Sequence, residues 1–224
     1  MKNKTIIFFI IFIMLISSIA FAADSVYVWS NNTTSKVIET VSDVKEDNSL
    51  KLESGAAILI EQTTGKVLYS HNIHEQLRPA SVTKVMTILL IMEALDGGKI
   101  TLDTQIPCSE NAHSMGGSQI WLDTTETLTV KDMLKSICVV SANDCTVAMA
   151  EYLAGSEEAF VQMMNTRAKQ LGMNDTCFKN CHGIDEDGHV TSSYDIALMS
   201  KELLNNHPDV TKYTTIWMDT LRDR

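Results

Sequence analysis

Ser81 and Lys84 stand three residues apart in Arg78-Pro79-Ala80-Ser81-Val82-Thr83-Lys84, where a polar approach meets an apolar run that continues to Met92. A serine hydroxyl becomes an effective nucleophile when a neighbouring base takes its proton, and a lysine is such a base only when neutral. Burial among apolar side chains disfavours the ammonium form and lowers its pKa. From Val82 to Met92 the only formal charge is Lys84, and no polar face remains. That pattern predicts a buried helix. The i,i+3 spacing places Ser81 and Lys84 on one side of its first turn, where the helix N-terminus disfavours a cation and favours a developing oxyanion. The chemistry open to this pair is nucleophilic acyl transfer, with Lys84 as general base. The plainer alternative is a serine that caps the helix and a lysine that extends to water.

A second polar group, Ser141-Ala142-Asn143, interrupts two apolar helical patterns. Facing a cleft and capping a helix explain Ser141 and Asn143 equally well. The elements that must position these residues follow from periodicity and punctuation. Ala56–Ile60 and Val67–Tyr69 flank Thr63-Thr64-Gly65-Lys66, a strand, turn and returning strand. Pro79 restrains the chain before the central helix, and Gly97-Gly98 ends it. The stretch containing Pro107 and Gly116-Gly117 reads as loops with short elements. Thr129-Val130-Lys131-Asp132 resembles an N-cap for a helix to about Val140, and a second helical pattern runs from Asp144 to Leu153. Ser156-Glu157-Glu158 opens a further helix to Gly172, with its acids in the first turn. Asn174 to Val190 is a polar loop, and Ser193 is a candidate cap for a last helix ending before Pro208.

Lys2 and Lys4, the apolar run Ile6 to Ile19 and Ala20-Phe21-Ala22 form a secretory leader, residues 1–22, with cleavage expected before Ala23. A retained membrane anchor is the alternative. No cysteine follows the site to suggest a lipoprotein, and no other anchor is visible after cleavage. The expected location is extracytoplasmic, at the cell wall or the outer face of the membrane. Residues 23–53 read as a flexible lead-in and 54–224 as the folded domain. A formal charge of −10, more acidic still without the leader lysines, repels phosphate backbones and anionic headgroups, so nucleic acid is excluded as a partner. Five cysteines are an odd and irregular set, which leaves at least one free thiol unless chains pair. Cys177, Cys181, His182 and His189 match no zinc spacing, so no metal is expected.

Ser81-x-x-Lys84 followed by Ser141-x-Asn143 resembles the serine penicillin-binding and β-lactamase superfamily. Thr64-Gly65-Lys66-Val67-Leu68-Tyr69, Pro79 to Thr87, Ser141 to Asp144, Leu171-Gly172-Met173 and Asn180-x-His182-Gly183 narrow the resemblance to the D-alanyl-D-alanine carboxypeptidases. The resemblance covers nearly everything from Gly55 onward. It implies an α+β fold, a helical cluster against an antiparallel sheet. The implied reaction has Ser81 attack the penultimate D-alanine of a peptidoglycan stem peptide ending in D-Ala-D-Ala. In it Lys84 takes the Ser81 proton, Ser141 relays a proton to the leaving amine, and Asn143 binds the substrate amide or holds Lys84. The Ser81 N–H would be one oxyanion donor, β-lactam antibiotics would be inhibitors, and no cofactor enters the scheme.

Two departures qualify it. The family's Lys-Thr-Gly motif is not in the sequence, which marks either a fragment of a longer product or a truncated chain with impaired activity. With that motif go a carboxylate partner, a second oxyanion donor and the strands that complete the sheet, so residues 23–224 alone are expected to fold poorly and release little D-alanine. Cys181 stands where the family usually carries proline, which is expected to loosen its loop. A β-lactamase and a non-catalytic binder of muropeptide or penicillin are the alternatives, the first weakened by Ser141-Ala142-Asn143 in place of Ser-Asp-Asn.

Overall fold

A computed structural model describes residue 50 and residues 52–222. The leader and nearly all of the lead-in lie outside the described residues. Strands β1 (Ala57–Ile60) and β2 (Val67–His71) form the expected antiparallel hairpin, pairing Leu59 with Tyr69 and Ile60 with Val67 across a bulge. Its turn is fixed by Glu61, whose carboxylate accepts from the Thr63 and Thr64 amides, and by Gly65 at φ 79°. A 3-10 turn (Ala80–Thr83) leads into α1 (Lys84–Asp96), capped by Gly97 as the sequence indicates.

The stretch after α1 holds β3 (Gln105–Pro107), the short α2 (Glu110–His113) and β4 (Thr127–Thr129). β3 and β4 pair antiparallel as a second two-stranded ladder, which the sequence reading leaves as short elements in loops. Helices α3 (Val130–Val140) and α4 (Asn143–Ala154) meet at Ser141, and α5 (Glu157–Leu171) follows Gly155. Thr129 caps α3 by accepting from the Asp132 N–H at 3.1 Å, and Ser156 caps α5 through Ala159 at 3.1 Å. Helix α6 (Ser193–Asn206) is capped by Ser192, through the Asp195 amide at 3.2 Å, not by Ser193. The shift follows from φ/ψ: Ser192 is extended, as a cap must be, and Ser193 is already helical. A 3-10 turn (Pro208–Val210) and α7 (Thr211–Thr214) close the described chain.

Helix α1 packs against α4, α5 and α6, α4 in turn contacts α1, α2, α3, α5 and β3, and the β1–β2 hairpin lies against α6. Met86, Ile88, Leu89, Leu90, Ile91 and Met92 are all buried, which is why the helix carries no polar face. Each such side chain contributes roughly 1.5–3 kcal/mol when removed from water. The fold is α+β, with a helical cluster beside small antiparallel ladders.

Candidate active site

The central pair forms as its spacing indicates. Lys84 Nζ lies 3.3 Å from Ser81 Oγ and donates to the His182 carbonyl at 2.7 Å. Ser81 is exposed, whereas Lys84 is 3% exposed at the base of the apolar helix. A lysine extended to water is therefore excluded. So is a capping serine, because Pro79 is the N-cap of the turn and Ser81 Oγ instead accepts from Lys84 Nζ. Burial pulls the Lys84 pKa down to about 8, so a substantial neutral fraction exists at mildly alkaline pH.

The loop from Asn180 to Ile184 is pinned against this turn. Thr87 Oγ1 donates to the Cys181 carbonyl at 2.7 Å, and Asn180 Oδ1 accepts from the Gly183 amide at 2.7 Å. Gly183 sits at φ 92°, and a Cβ there would lie 1.9 Å from the Ala80 carbonyl oxygen. Glycine is required at that approach. Ala80, just before Ser81, is itself at φ 45°, so the nucleophile follows a strained residue held by its surroundings.

Asn143 opens α4, which packs on α1, and Ser141 lies at the junction of α3 and α4. Ser141 is the left-handed C-cap of α3 at φ 59°, and its Oγ is buried without a hydrogen-bond partner among the described residues. Asn143 Nδ2 donates to the Gly116 carbonyl at 2.8 Å, and its backbone N–H donates to Ser118 O at 2.7 Å. It does not hold Lys84; that role falls to the His182 carbonyl. No hydrogen bond among the described residues joins Ser141 or Asn143 to Ser81 or Lys84. Asp144, fully buried beside them, accepts from the Ile120 and Leu122 amides at 3.1 Å each and so fixes the loop running through Gly116 and Gly117.

Sequence reasoning missed the His182 carbonyl, because a backbone oxygen carries no residue-type signal. The polar Thr83 and Thr87 on an otherwise apolar helix were the available sign, since each needs a buried partner. Thr83 Oγ1 lies 2.7 Å from His189 Nε2, and Thr87 meets Cys181 O. Cys181 is fully buried, and its N–H and Sγ both donate to Glu157 Oε1, at 3.2 and 3.3 Å. It tethers the loop instead of loosening it. His189 is taken up by Thr83 and the Lys179 amide, and His182 Nδ1 accepts from Ile184, so the rejected Cys/His group is engaged elsewhere. Glu93, Glu202 and His207 do approach one another, but Arg167 already binds both glutamates, at 2.7 and 2.5 Å. All five cysteines are free thiols.

An exposed serine backed by a buried lysine, on a helical cluster of this shape, places the chain in the penicillin-binding fold class. The crystal structure of penicillin binding protein 5 from Haemophilus influenzae superposes with a TM-score of 0.75 at 29% identity, over 78% of this chain and 52% of that one. D-alanyl-D-alanine carboxypeptidase DacD from Francisella tularensis gives 0.73 at 34%, over 76% and 41%. The chain belongs to the D-alanyl-D-alanine carboxypeptidase family of S11 peptidases, whose pattern matches residues 41–223. It is 54% identical over 181 residues to D-alanyl-D-alanine carboxypeptidase DacF of Bacillus subtilis (strain 168), a match covering 81% of this chain and 46% of that protein. The chain thus spans about half the length of the curated relatives it matches. The family match begins 13 residues before residue 54, and Tyr69 Oη donates to Leu50 O, so part of the lead-in belongs with the domain.

Proposed function

We propose that this chain carries the acylating machinery of a serine-type D-Ala-D-Ala carboxypeptidase acting on peptidoglycan stem peptides outside the cytoplasm. Ser81 Oγ attacks the carbonyl carbon of the penultimate D-alanine while Lys84 Nζ takes its proton. The tetrahedral oxyanion meets the Ser81 N–H, and its collapse breaks the C–N bond. Ser141 passes a proton to the leaving nitrogen, terminal D-alanine departs, and water hydrolyses the Ser81 ester. Asn143 orients the substrate amide from the far wall. The supporting observation is the 3.3 Å approach of a buried Lys84 amine to an exposed Ser81 hydroxyl.

β-Lactams acylate the same hydroxyl and leave an ester that hydrolyses slowly. Incubation with a labelled penicillin of a version of the chain extended to the length of its relatives, followed by peptide mapping, is expected to place one adduct on Ser81, absent in Ser81→Ala. An adduct on any other serine, or none on the wild type, refutes the reading. Export is tested by N-terminal sequencing of the secreted protein, expected to begin at Ala23; an intact Met1 on a membrane-bound product refutes it.

A further inference from the structure

We propose that Glu157 is a positioning residue for the Ser81–Lys84 pair, acting through the backbone of Cys181 and His182; this rests on the acyl-transfer reading above. Glu157 is the first residue of α5, next to its Ser156 cap, and its side chain is largely buried. Its Oε1 accepts from the Cys181 N–H at 3.2 Å and from Cys181 Sγ at 3.3 Å, and lies 3.4 Å from His182 Nε2. One residue further, the His182 carbonyl accepts from Lys84 Nζ at 2.7 Å. A single carboxylate oxygen thus fixes the Asn180–Cys181 peptide, two peptides before the His182–Gly183 carbonyl that orients the base, and Thr87 holds the carbonyl of the peptide between them. The amide it holds is one that proline at position 181 would lack. Without Glu157 the fully buried Cys181 N–H loses its hydrogen bond, and the loop must shift to recover one.

The ring of His182 strengthens the connection. Its Nδ1 accepts from the Ile184 amide at 3.1 Å, which leaves the proton of the neutral ring on Nε2, beside Glu157. The charged or titratable groups around this loop are Lys84, Glu157, Glu186, His189 and Cys181. Burial lowers both histidines and raises the Cys181 thiol, so these three are neutral in the working range. Glu157 and Glu186 are the carboxyl groups that face His182, and Glu157 is the one bonded to the loop carrying the carbonyl.

The test compares Glu157→Ala and Glu157→Gln with wild type, by rate of acylation with labelled penicillin across pH. Glutamine keeps an acceptor for the Cys181 amide and is expected to stay within about threefold of wild type, whereas alanine falls roughly 10- to 100-fold, the scale of an ångström of misplacement. The alkaline rise in rate is expected to move to lower pH in Glu157→Ala, because a lysine without its carbonyl partner holds its proton less well. A purely structural role lowers the labelled fraction but leaves the rate and pH profile of the remaining protein unchanged, and that result overturns the proposal. So does Glu157→Gln behaving like Glu157→Ala. Titration of Lys84 by lysine-selective NMR gives a second readout, with Lys84 expected to titrate lower in Glu157→Ala than in wild type; equal titration is equally fatal. Failure of wild type to label at Ser81 condemns the acyl-transfer reading; wild-type labelling with an unaffected Glu157→Ala condemns only the role of Glu157.

Discussion

The two walls of the proposed site, one around Lys84 and one around Ser141, are built differently. On the lysine wall every buried polar group has a protein partner: Lys84 meets Ser81 and His182, Thr87 meets Cys181, and Thr83 meets His189. On the serine wall Ser141 Oγ is buried with no partner among the described residues, on a left-handed residue that closes one helix before the next begins. A base that must hold one orientation while changing charge gains from dense, rigid bonding. In the proposed reaction, a hydroxyl that hands on a proton gains from being uncommitted until substrate arrives. Both walls carry a residue in the left-handed region, Ala80 and Ser141, but the lysine wall adds desolvation of an amine and the serine wall an unmade hydrogen bond.

The largest effect should come from removing the base. Lys84→Ala is expected to slow acylation of Ser81 by about 10²–10⁴-fold. In wild type the rate should rise with pH and level off above about 8, because only neutral Lys84 accepts the proton. A flat profile from pH 6 to 9 would remove Lys84 from the role of base. Next comes the contact that lets the lysine wall close. Gly183→Ala forces a Cβ within 1.9 Å of a backbone oxygen at φ 92°, so something must shift. A loss of about 2–4 kcal/mol in urea denaturation is expected, together with slower acylation in whatever remains folded. A variant as stable and as reactive as wild type would mean that the loop does not pack there.

The cost of burying Lys84 should itself be measurable. Its pKa is about 8 when folded and near 10.5 when unfolded, so between these values the unfolded chain holds a proton that the native state has lost. Stability from this group therefore rises as pH climbs from about 8 to 10.5, and below 8 the native state bears the full cost, about 3 kcal/mol. Lys84→Met should abolish that part of the slope, seen as the difference between the two proteins' urea midpoints at pH 7.5 and pH 10. Identical slopes would show that the ammonium is not desolvated.

Much of this was legible because it is local. The hairpin around Thr63 to Lys66, the Thr129 and Ser156 caps and the Gly97 stop each rest on a few adjacent residues, and the structure agrees with them. The burial of Lys84 was legible too, since no other charge accompanies it from Val82 to Met92. What escaped was tertiary. β3 and β4 are three residues each, one ending in Pro107, and too short for an alternation to show. Glu157 reads as an ordinary first-turn acid until the fold brings the 180–184 loop to it. Asp144 gives no hint in the sequence that it holds the chain at Ile120 and Leu122.

The smallest effect in stability, and the sharpest test of the contrast between the walls, is expected at Ser141. Glycine adopts φ near 59° without the Cβ clash that serine suffers, and it removes a buried hydroxyl that bonds nothing among the described residues. Against these gains stands the greater chain entropy of glycine in the unfolded state, about 0.5–1 kcal/mol. The balance should make Ser141→Gly more stable than wild type by about 1 kcal/mol, a shift readable in the urea midpoint. The same change removes the proposed proton relay, so acylation by penicillin is expected to fall by about 10²-fold. A variant both more stable and slower is the signature of a residue kept for chemistry at the expense of the fold. If Ser141→Gly is instead less stable, its hydroxyl holds the α3–α4 junction together, and the opposition between the two walls disappears.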